Sequence, residues 1–190
     1  MLNKLSFPLP DRKDTLLVIV DVQKRLMSAM PEEISNNTLN NIGVLITSAN
    51  ILNIPIIHTE QYPKGLGKTC PQIQNLLQNH YPPVEKLSLS CCEVDTFNRQ
   101  VIETGKKQII LTGVEAHVCV FQTALDLLQQ GYTIYLVKDA VCSRHKMDWQ
   151  TSLDIAAKAG ALITTTEIIL FQILGRAGTE EFKHIQSLLK

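Results

Sequence analysis

The sequence lacks a net charge, a long apolar run and an export signal. Its 18 basic and 18 acidic side chains cancel over 190 residues, so no general field attracts nucleic acid or an anionic membrane. No apolar run is long enough to span a bilayer, and residues 1–10 have neither an extended apolar segment nor a small-residue cleavage site. We therefore expect a cytoplasmic protein with no nucleic-acid or membrane partner.

The cysteines are few, and their spacing does not suit a disulfide framework or a zinc knuckle. There are five, an odd number, and none belongs to a Cys-x-x-Cys pair. Cys91 and Cys92 are adjacent, but neighbouring residues on a strand or helix point in different directions. We interpret both as packing residues, and we expect no metal and no other cofactor.

Apolar runs and helical patterns alternate along the chain. With 45% hydrophobic residues, residues 1–190 are expected to form a single domain. The predicted strands are residues 16–20, 54–57, 84–88, 108–111, 133–137 and 161–164, and the predicted helices are residues 34–52, 72–78, 96–104, 117–130, 148–159, 167–174 and 179–189. Because the strands show no regular polar alternation, the pattern predicts an α/β protein: a three-layer α/β/α, Rossmann-like fold with a parallel sheet of about six strands.

Cys119 lies where a nucleophile is expected. It follows the strand at 108–111 and opens the helix at 117–130. In the first turn of a helix, free backbone N–H groups and the helix dipole favour a thiolate. The alternative is that Cys119 is a small buried apolar residue, since free cysteines are among the most buried residue types. Position alone leaves both interpretations open.

Two other ionisable residues are expected at the same edge of the sheet. Asp21 directly follows the strand at 16–20, and Lys86 lies on the strand at 84–88. Ligands of open parallel sheets bind beyond the carboxyl ends of the strands, which makes both residues candidates for catalysis with Cys119. As alternatives, Asp21 caps a turn or helix, and Lys86 is a solvated surface lysine.

The segments around these three residues resemble the isochorismatase-like cysteine hydrolases. The motifs are Asp21-Val22-Gln23, Lys86 before a segment bearing Cys and Thr, Gly-Val-Glu-Ala-His-Val-Cys at 113–119, and Asp139-Ala140-Val141. The resemblance extends over residues 15–174, and it rests on the order of the motifs rather than on any one of them. Segments 59–67 and 164–172 are most similar to the isochorismatase-domain hydrolases of that superfamily.

The resemblance implies a catalytic triad of Asp21, Lys86 and Cys119 in a hydrolase of small molecules that cleaves a non-peptide, amide-type C–N bond. Cys119 would attack a carbonyl carbon to give a thioester, while Lys86 stabilises both anions and Asp21 carries the thiol proton to the leaving group. The resemblance also implies a cis peptide between Val114 and Glu115. By the same mapping, the backbone amides of Glu115 and Cys119 form the oxyanion hole.

The sequence departs from two related activities. Nicotinamidases of this superfamily carry a metal site of aspartate and histidines after the second strand, whereas segment 58–62 reads His-Thr-Glu-Gln-Tyr, without an Asp-x-His arrangement. A metal site is therefore disfavoured, and His58 is interpreted as a core histidine. Isochorismate-cleaving members hydrolyse a vinyl ether without a thiol nucleophile, so Cys119 favours an acyl substrate.

Several alternatives remain open. The chain could be a vinyl-ether hydrolase, or a catalytically silent member that acts through protein contacts. Gln23 and Gln61 are candidates for binding substrate through their amides, or they are strand-end and loop residues with no ligand role. A structural or subunit-contact role is expected for His117 at least as much as a catalytic one.

The tail suggests self-association. Ile168, Ile169 and Phe171 follow the last strand, and an exposed apolar patch of this kind is often buried between subunits. We expect a homo-oligomer, a dimer or larger. The alternative is that this helix packs on its own sheet.

Overall fold

A six-stranded parallel sheet organises the computed structural model, which describes residues 8–77 and 80–190. The strands are β1 (Thr15–Val20), β2 (Ile56–Gln61), β3 (Val84–Lys86), β4 (Gln108–Val114), β5 (Thr133–Cys142) and β6 (Leu162–Thr164). They pair in the order β3-β2-β1-β4-β5-β6, with every neighbouring pair parallel. The predicted α/β fold is confirmed.

Helices cover both faces of the sheet. They are α1 (Lys24–Met27), α2 (Glu32–Leu52), α3 (Pro63–Leu66), α4 (Pro71–Leu77), α5 (Asp95–Thr104), α6 (Phe121–Gln129), α7 (Lys146–Ala159), α8 (Thr166–Leu174) and α9 (Glu180–Leu188). Helices α2, α4, α8 and α9 pack on one face, and α5, α6 and α7 pack on the other. In the described part of the chain, no helix combines the length and the apolar character needed to cross a membrane.

The central strand β1 is buried on both faces. Leu17 and Ile19 pack in the core beneath α2, while Leu16 and Val18 pack in the core beneath α5 and α6. Because side chains alternate between the two faces of a strand, a strand covered on both sides needs an unbroken apolar run. Full burial of each such side chain stabilises the fold by ~1.5–3 kcal/mol.

Some element bounds differ from those predicted. β2 continues to Gln61, because the polar residues His58, Thr59 and Glu60 are buried within the sheet. β5 extends to residue 142, and β3 ends at Lys86. The predicted helix at 117–130 is two elements, a wide π turn at Ala116–Val120 followed by α6. Residue 78 of the predicted helix at 72–78 lies outside the described residues.

Close contact between β1 and β4 depends on Gly113. This residue has φ +120°, and a Cβ there would overlap the carbonyl oxygen of Val20 and lie 2.6 Å from its amide nitrogen. Only glycine accepts both the conformation and the approach. The contact brings the end of β1, which leads into Asp21, beside the end of β4, which leads into the turn of Cys119.

Candidate active site

The three predicted catalytic residues come together where the strand order reverses. β1 is flanked by β2 on one side and β4 on the other, and such a switch point creates a crevice at the carboxyl ends of the strands. Asp21 follows β1 with φ +53°, a left-handed conformation that turns the chain sharply. Lys86 is the last residue of β3, and Cys119 lies in the π turn after β4.

Asp21 and Lys86 form a fully buried ion pair. Lys86 Nζ lies 2.7 Å from Asp21 Oδ2, and neither side chain is exposed to solvent. Within the described residues, Oδ2 accepts no hydrogen bond of ordinary geometry, so the ammonium group is what compensates its charge. A buried charge without a partner would be costly, and each of these groups therefore requires the other.

The ammonium group of Lys86 is held by further acceptors. It donates to Gln61 Oε1 at 2.6 Å and to the carbonyl oxygens of Ser88 and Leu89 at 3.2 and 3.1 Å. Burial lowers the pKa of Lys86, but the charge of Asp21 and smaller contributions from nearby thiols outweigh it, and the net pKa is raised. Lys86 is therefore a fixed cation, and the interpretation as a solvated lysine is wrong.

Cys119 is a buried thiol in contact with both members of this pair. Its thiol is close enough to Asp21 and to Lys86 for both charges to influence its pKa, and the residue is 6% exposed. Burial and the charge of Asp21 raise the pKa of Cys119 to about 12, although Lys86 acts in the opposite direction. The thiolate expected from the helix start is therefore not the resting form, because desolvation and a neighbouring carboxylate outweigh the ammonium group.

Two residues that the sequence did not suggest complete the surroundings of Asp21. Thr59 Oγ1 donates to Asp21 Oδ1 at 2.6 Å and accepts from the Asp21 amide at 3.2 Å. Cys91, fully buried, places its Sγ 3.8 Å from the same Thr59 oxygen, and burial, followed by the charge of Asp21, raises the pKa of Cys91 to about 12. Cys91 thus packs beside the candidate site, and it lies five residues after Lys86, the charged end of β3.

The two candidate substrate-binding glutamines have internal partners. Gln23 is fully buried; its Nε2 donates to the carbonyl oxygens of Gln61 and Gly67, and its Oε1 accepts from the Gln61 amide at 2.7 Å. This geometry favours the strand-end alternative for Gln23. The Gln61 side chain donates to the carbonyl oxygen of Leu87 at 2.8 Å and accepts from Lys86, so it orients the catalytic candidate Lys86.

The turn that carries Cys119 is tied to the end of β5. A cis peptide bond joins Val114 and Glu115. The Glu115 carboxylate accepts from the amide and from Nε of Arg144, at 3.2 and 3.0 Å. His117 Nδ1 lies 2.9 Å from Ser143 Oγ, a contact that gives His117 a structural role at this position.

His58 occupies the opposite face of β2 from Thr59. Neither ring nitrogen has a hydrogen-bond partner among the described residues, and burial lowers the pKa of His58 to about 4, with Glu60 acting in the opposite direction. Across residues 8–77 and 80–190, no group of three or more His, Cys, Asp or Glu side chains could hold a metal ion.

The apolar patch expected on the tail is smaller than predicted. Ile169 lies on the face of α8 that is directed towards the sheet, and its side chain is therefore buried in the core. Phe171 stacks against Phe182 of α9, with ring centroids 5.7 Å apart. Ile168 alone of the three predicted residues is well exposed, at 60%.

Comparison with known proteins identifies a family that matches most of the chain. Residues 15–168 match the family described as the isochorismatase domain. Isochorismatase family protein 1A of Dictyostelium discoideum is 37% identical over 180 residues, which are 92% of this chain and 85% of that protein. Isochorismatase domain-containing protein 1 of Salmo salar is 40% identical over 146 residues; the match covers 77% of this chain but only 51%, about half, of the salmon protein.

Solved structures agree with this result. The MAR1 ribonuclease of Caenorhabditis elegans superimposes with a TM-score of 0.89 at 34% identity, over 96% of this chain and 92% of that one. The YcaC gene product of Escherichia coli, an octameric hydrolase of unknown specificity, superimposes with a TM-score of 0.86 over 98% and 89% of the two chains. At 23% identity, the second likeness shows the fold alone.

Proposed function

This chain belongs to the isochorismatase family, and we propose that it is a cysteine hydrolase that cleaves an amide-type C–N bond of a small molecule. Family membership supports hydrolysis in general. The contact of Asp21, Lys86 and Cys119 in one buried cluster is the observation that supports the finer proposal, because a thiol with an adjacent carboxylate is equipped for acyl transfer. No cofactor is required for this chemistry.

Acylation begins with the protonated thiol. Because the pKa of Cys119 is about 12, the sulfur needs a base at neutral pH, and Asp21 takes its proton as Sγ bonds to the carbonyl carbon. Asp21 then passes that proton to the leaving nitrogen, the C–N bond breaks, and a thioester remains on Cys119. Lys86 keeps its charge throughout and stabilises whichever of the two neighbours is anionic.

Deacylation reverses the proton path. Water gives a proton to Asp21 while its oxygen bonds to the thioester carbon, the C–S bond breaks, and Asp21 returns the proton to Sγ. The backbone amides of Glu115 and Cys119 are proposed to bind the oxyanion in both steps, a contribution of ~3 kcal/mol per donor in other enzymes. The products are a carboxylic acid and an amine or ammonia.

A substrate screen tests the proposal directly. Small amides and carbamates are incubated with the wild type and with Cys119→Ala, and acid and amine products are quantified. We expect turnover of at least one compound by the wild type and none by the variant. Isochorismate is included as a vinyl-ether substrate; cleavage that survives Cys119→Ala would replace the amidase proposal, and inactivity on every compound would favour a role through protein contacts.

A second candidate function, RNA hydrolysis, follows from the likeness to the C. elegans ribonuclease. One observation favours it: a pocket of about 420 Å³ beside α1 and α3 is lined by Lys24, Arg25, Lys64 and Lys68, and no carboxylate of the described residues lines it. None of these four cations takes part in the ion pairs of the described residues. We call this the basic pocket; phosphates are bound by such clusters in a salt-dependent way.

Cleavage of a labelled single-stranded RNA decides this candidate. If it is correct, the wild type cleaves the RNA, and the double variant Lys64→Gln, Lys68→Gln binds it more weakly, with a smaller salt dependence. The matched control is Lys158→Gln with Lys190→Gln, which removes two exposed cations outside the basic pocket. Intact RNA after incubation with the wild type would exclude the candidate.

We also propose that the protein is a homo-oligomer. The support is the exposure of several large apolar side chains, including Ile168 and Met147, since such side chains often lie between subunits. Light scattering coupled to size exclusion measures the mass in solution. A mass of one chain at micromolar concentration would contradict the proposal.

A further inference from the structure

A second pocket lies beside the candidate active site. It encloses about 560 Å³ between the start of α2, the end of β5 and the start of α7, a volume typical of sites for small organic molecules. Asp21, Lys86 and Cys119 do not line it. The residues that matter for its chemistry are Ile34, Asn37, Lys138, Arg144, Lys146 and Trp149. We call it the β5 pocket.

The charged groups of the β5 pocket favour an anion. Among the described residues that line it, the cations are Lys138, Arg144 and Lys146, and the one carboxylate is Asp139. Asp139 Oδ1 already accepts from the amide and the hydroxyl of Thr166, at 2.9 and 3.1 Å. Arg144 binds Glu115 through Nε, and in the described part of the chain the two terminal nitrogens of its guanidinium group have no ion-pair partner. They can therefore donate to a carboxylate, sulfonate or phosphate.

The remaining wall is apolar and aromatic. Trp149 is half-buried, and its indole N–H donates to the carbonyl oxygen of Val141 at 3.1 Å, so the ring is fixed in orientation and its polar atom is satisfied. Ile34, 45% exposed, lines the side formed by α2. An aromatic ring and an aliphatic side chain beside cations suit a ligand with an apolar body and an anionic group.

Two contacts connect the β5 pocket to the turn of Cys119. Arg144 lines the pocket and holds the Glu115 carboxylate. Ser143 also lines the pocket and lies 2.9 Å from His117. A molecule that binds Arg144 therefore affects the position of Glu115, whose backbone amide is proposed for the oxyanion hole.

From these features we infer that the β5 pocket is a binding site for a small aromatic or apolar molecule with one anionic group. The pocket lies outside the proposed triad, and the inference does not depend on which bond the protein hydrolyses. The chemistry fits two sources: an anionic part of the substrate itself, or a separate effector.

A fluorescent pair of probes tests the inference on the full chain. The anionic probe is 1-anilinonaphthalene-8-sulfonate, and N-phenyl-1-naphthylamine is its counterpart without the sulfonate. Trp149 is the chain's single tryptophan and lines the β5 pocket, so energy transfer from it detects a probe bound near this pocket, and substitutions in the pocket identify the site. We expect saturable transfer to the sulfonate with one site per chain, and affinity about tenfold lower for the neutral amine, since a charge-assisted hydrogen bond is lost.

Variants separate this site from general apolar binding. Arg144→Gln with Lys146→Gln should weaken sulfonate binding about tenfold and leave the neutral probe unchanged. Lys158→Gln, on the same helix but outside the pocket, is the matched control and should change neither. Trp149→Phe should abolish the energy transfer while direct probe fluorescence persists. Absence of saturable transfer, or equal affinity of the double variant for the sulfonate, would overturn the inference.

Labelling of Cys119 distinguishes the two sources of the ligand. Iodoacetamide modification of Cys119 is followed by peptide mass analysis with and without saturating sulfonate probe. Complete protection of Cys119 by the bound probe assigns the β5 pocket to the substrate's anionic part. A modification rate that is unchanged, or that changes without complete protection, assigns the pocket to a separate effector. Because binding is measured without turnover, failure of the amidase proposal leaves this result intact.

Discussion

At Cys119, burial and the Asp21 carboxylate hold the proton on sulfur. A helix start alone would favour the thiolate, but the neighbouring negative charge disfavours a second one. Near neutral pH, the reactivity of the thiol therefore depends more on proton transfer to Asp21 than on the pH of the solvent. Substitution of Asp21 should consequently make the thiol easier to ionise and at the same time reduce turnover.

Asp21→Asn is expected to lower the pKa of Cys119 and to reduce hydrolysis. Loss of the carboxylate removes a charge that raises this pKa and leaves Lys86 as the nearest charge, while turnover loses its proton carrier and falls by about 10²–10⁴-fold. The thiolate's ultraviolet absorbance is titrated in the wild type and in Asp21→Asn, and the titration of Cys119→Ala made in the same background is subtracted from each, because Asp21 also influences Cys91. A thiol that titrates at higher pH in Asp21→Asn would contradict this assignment.

Thr59 is expected to position Asp21. Thr59→Val keeps the shape of the side chain but removes the hydroxyl, which donates to Asp21 Oδ1 and accepts from the Asp21 amide. We expect kcat to fall by about tenfold or more and KM to change little. Thr59→Ser restores the hydroxyl and should restore most of the activity. A purely structural role would lower the melting temperature of Thr59→Val without moving the pH profile of kcat.

At the scale of elements, the approach of β1 to β4 fixes the distance between the two halves of the site. Gly113→Ala should destabilise the protein by ~3 kcal/mol or more, because the new Cβ overlaps the backbone of Val20 and the residue has positive φ. Gly105→Ala is the matched control, since Gly105 also has positive φ but its Cβ would meet open space. Its cost should be about 1 kcal/mol.

Urea denaturation followed by circular dichroism measures both glycine variants. The difference between them measures the overlap with Val20 together with the greater conformational cost of φ +120° at Gly113 than of φ +66° at Gly105. Equal free energies of unfolding for Gly113→Ala and Gly105→Ala would show that the β1–β4 contact is not restrictive.

The sequence predicts which strands and helices form better than it predicts the residues at which they begin and end. Uniform apolar runs identify β1 and β4, because both faces of a parallel sheet are buried. The sequence does not indicate that Thr59 belongs to the site, because its contact with Asp21 depends on the register of β1 against β2. In that register, Ile19 lies beside His58. Polar residues that continue β2 look like loop residues until the sheet is assembled.

The same limit applies to the candidate site. Asp21 and Cys119 follow strand ends that the apolar runs already mark, so their positions could be predicted. The ionisation of Cys119 could not, because it depends on burial and on a charge brought close by tertiary contacts. The sequence favours a packing role for Cys91, since closeness in sequence to Lys86 does not indicate that the turn of Cys91 folds back onto Thr59.

At the scale of the whole molecule, stability is expected to decrease in acid partly through His58. The unfolded chain binds a proton on this residue below pH 6.5, whereas the folded protein resists protonation until about pH 4. Stability is therefore full above pH 6.5, and about 3 kcal/mol of it is lost as the pH falls to 4.

His58→Leu checks this contribution. The variant has no group to protonate and no unpaired ring nitrogen, so its free energy of unfolding should fall less steeply than that of the wild type between pH 6.5 and 4. Urea titrations at several pH values give both curves. Parallel curves would show that another buried group controls the acid transition.

The reversal of strand order at β1 also has a consequence for assembly of the native state. Asp21, Thr59 and Lys86 belong to the half of the sheet made from residues 15–86, whereas Cys119 comes from the half that starts with β4 at residue 108. Within the sheet, the two halves are joined by the β1–β4 pairing, which brings together residues about ninety positions apart. A nascent chain or a partly folded intermediate with one half in place lacks part of the proposed triad, so regain of the proposed hydrolysis during refolding would report completion of the sheet rather than collapse of either half.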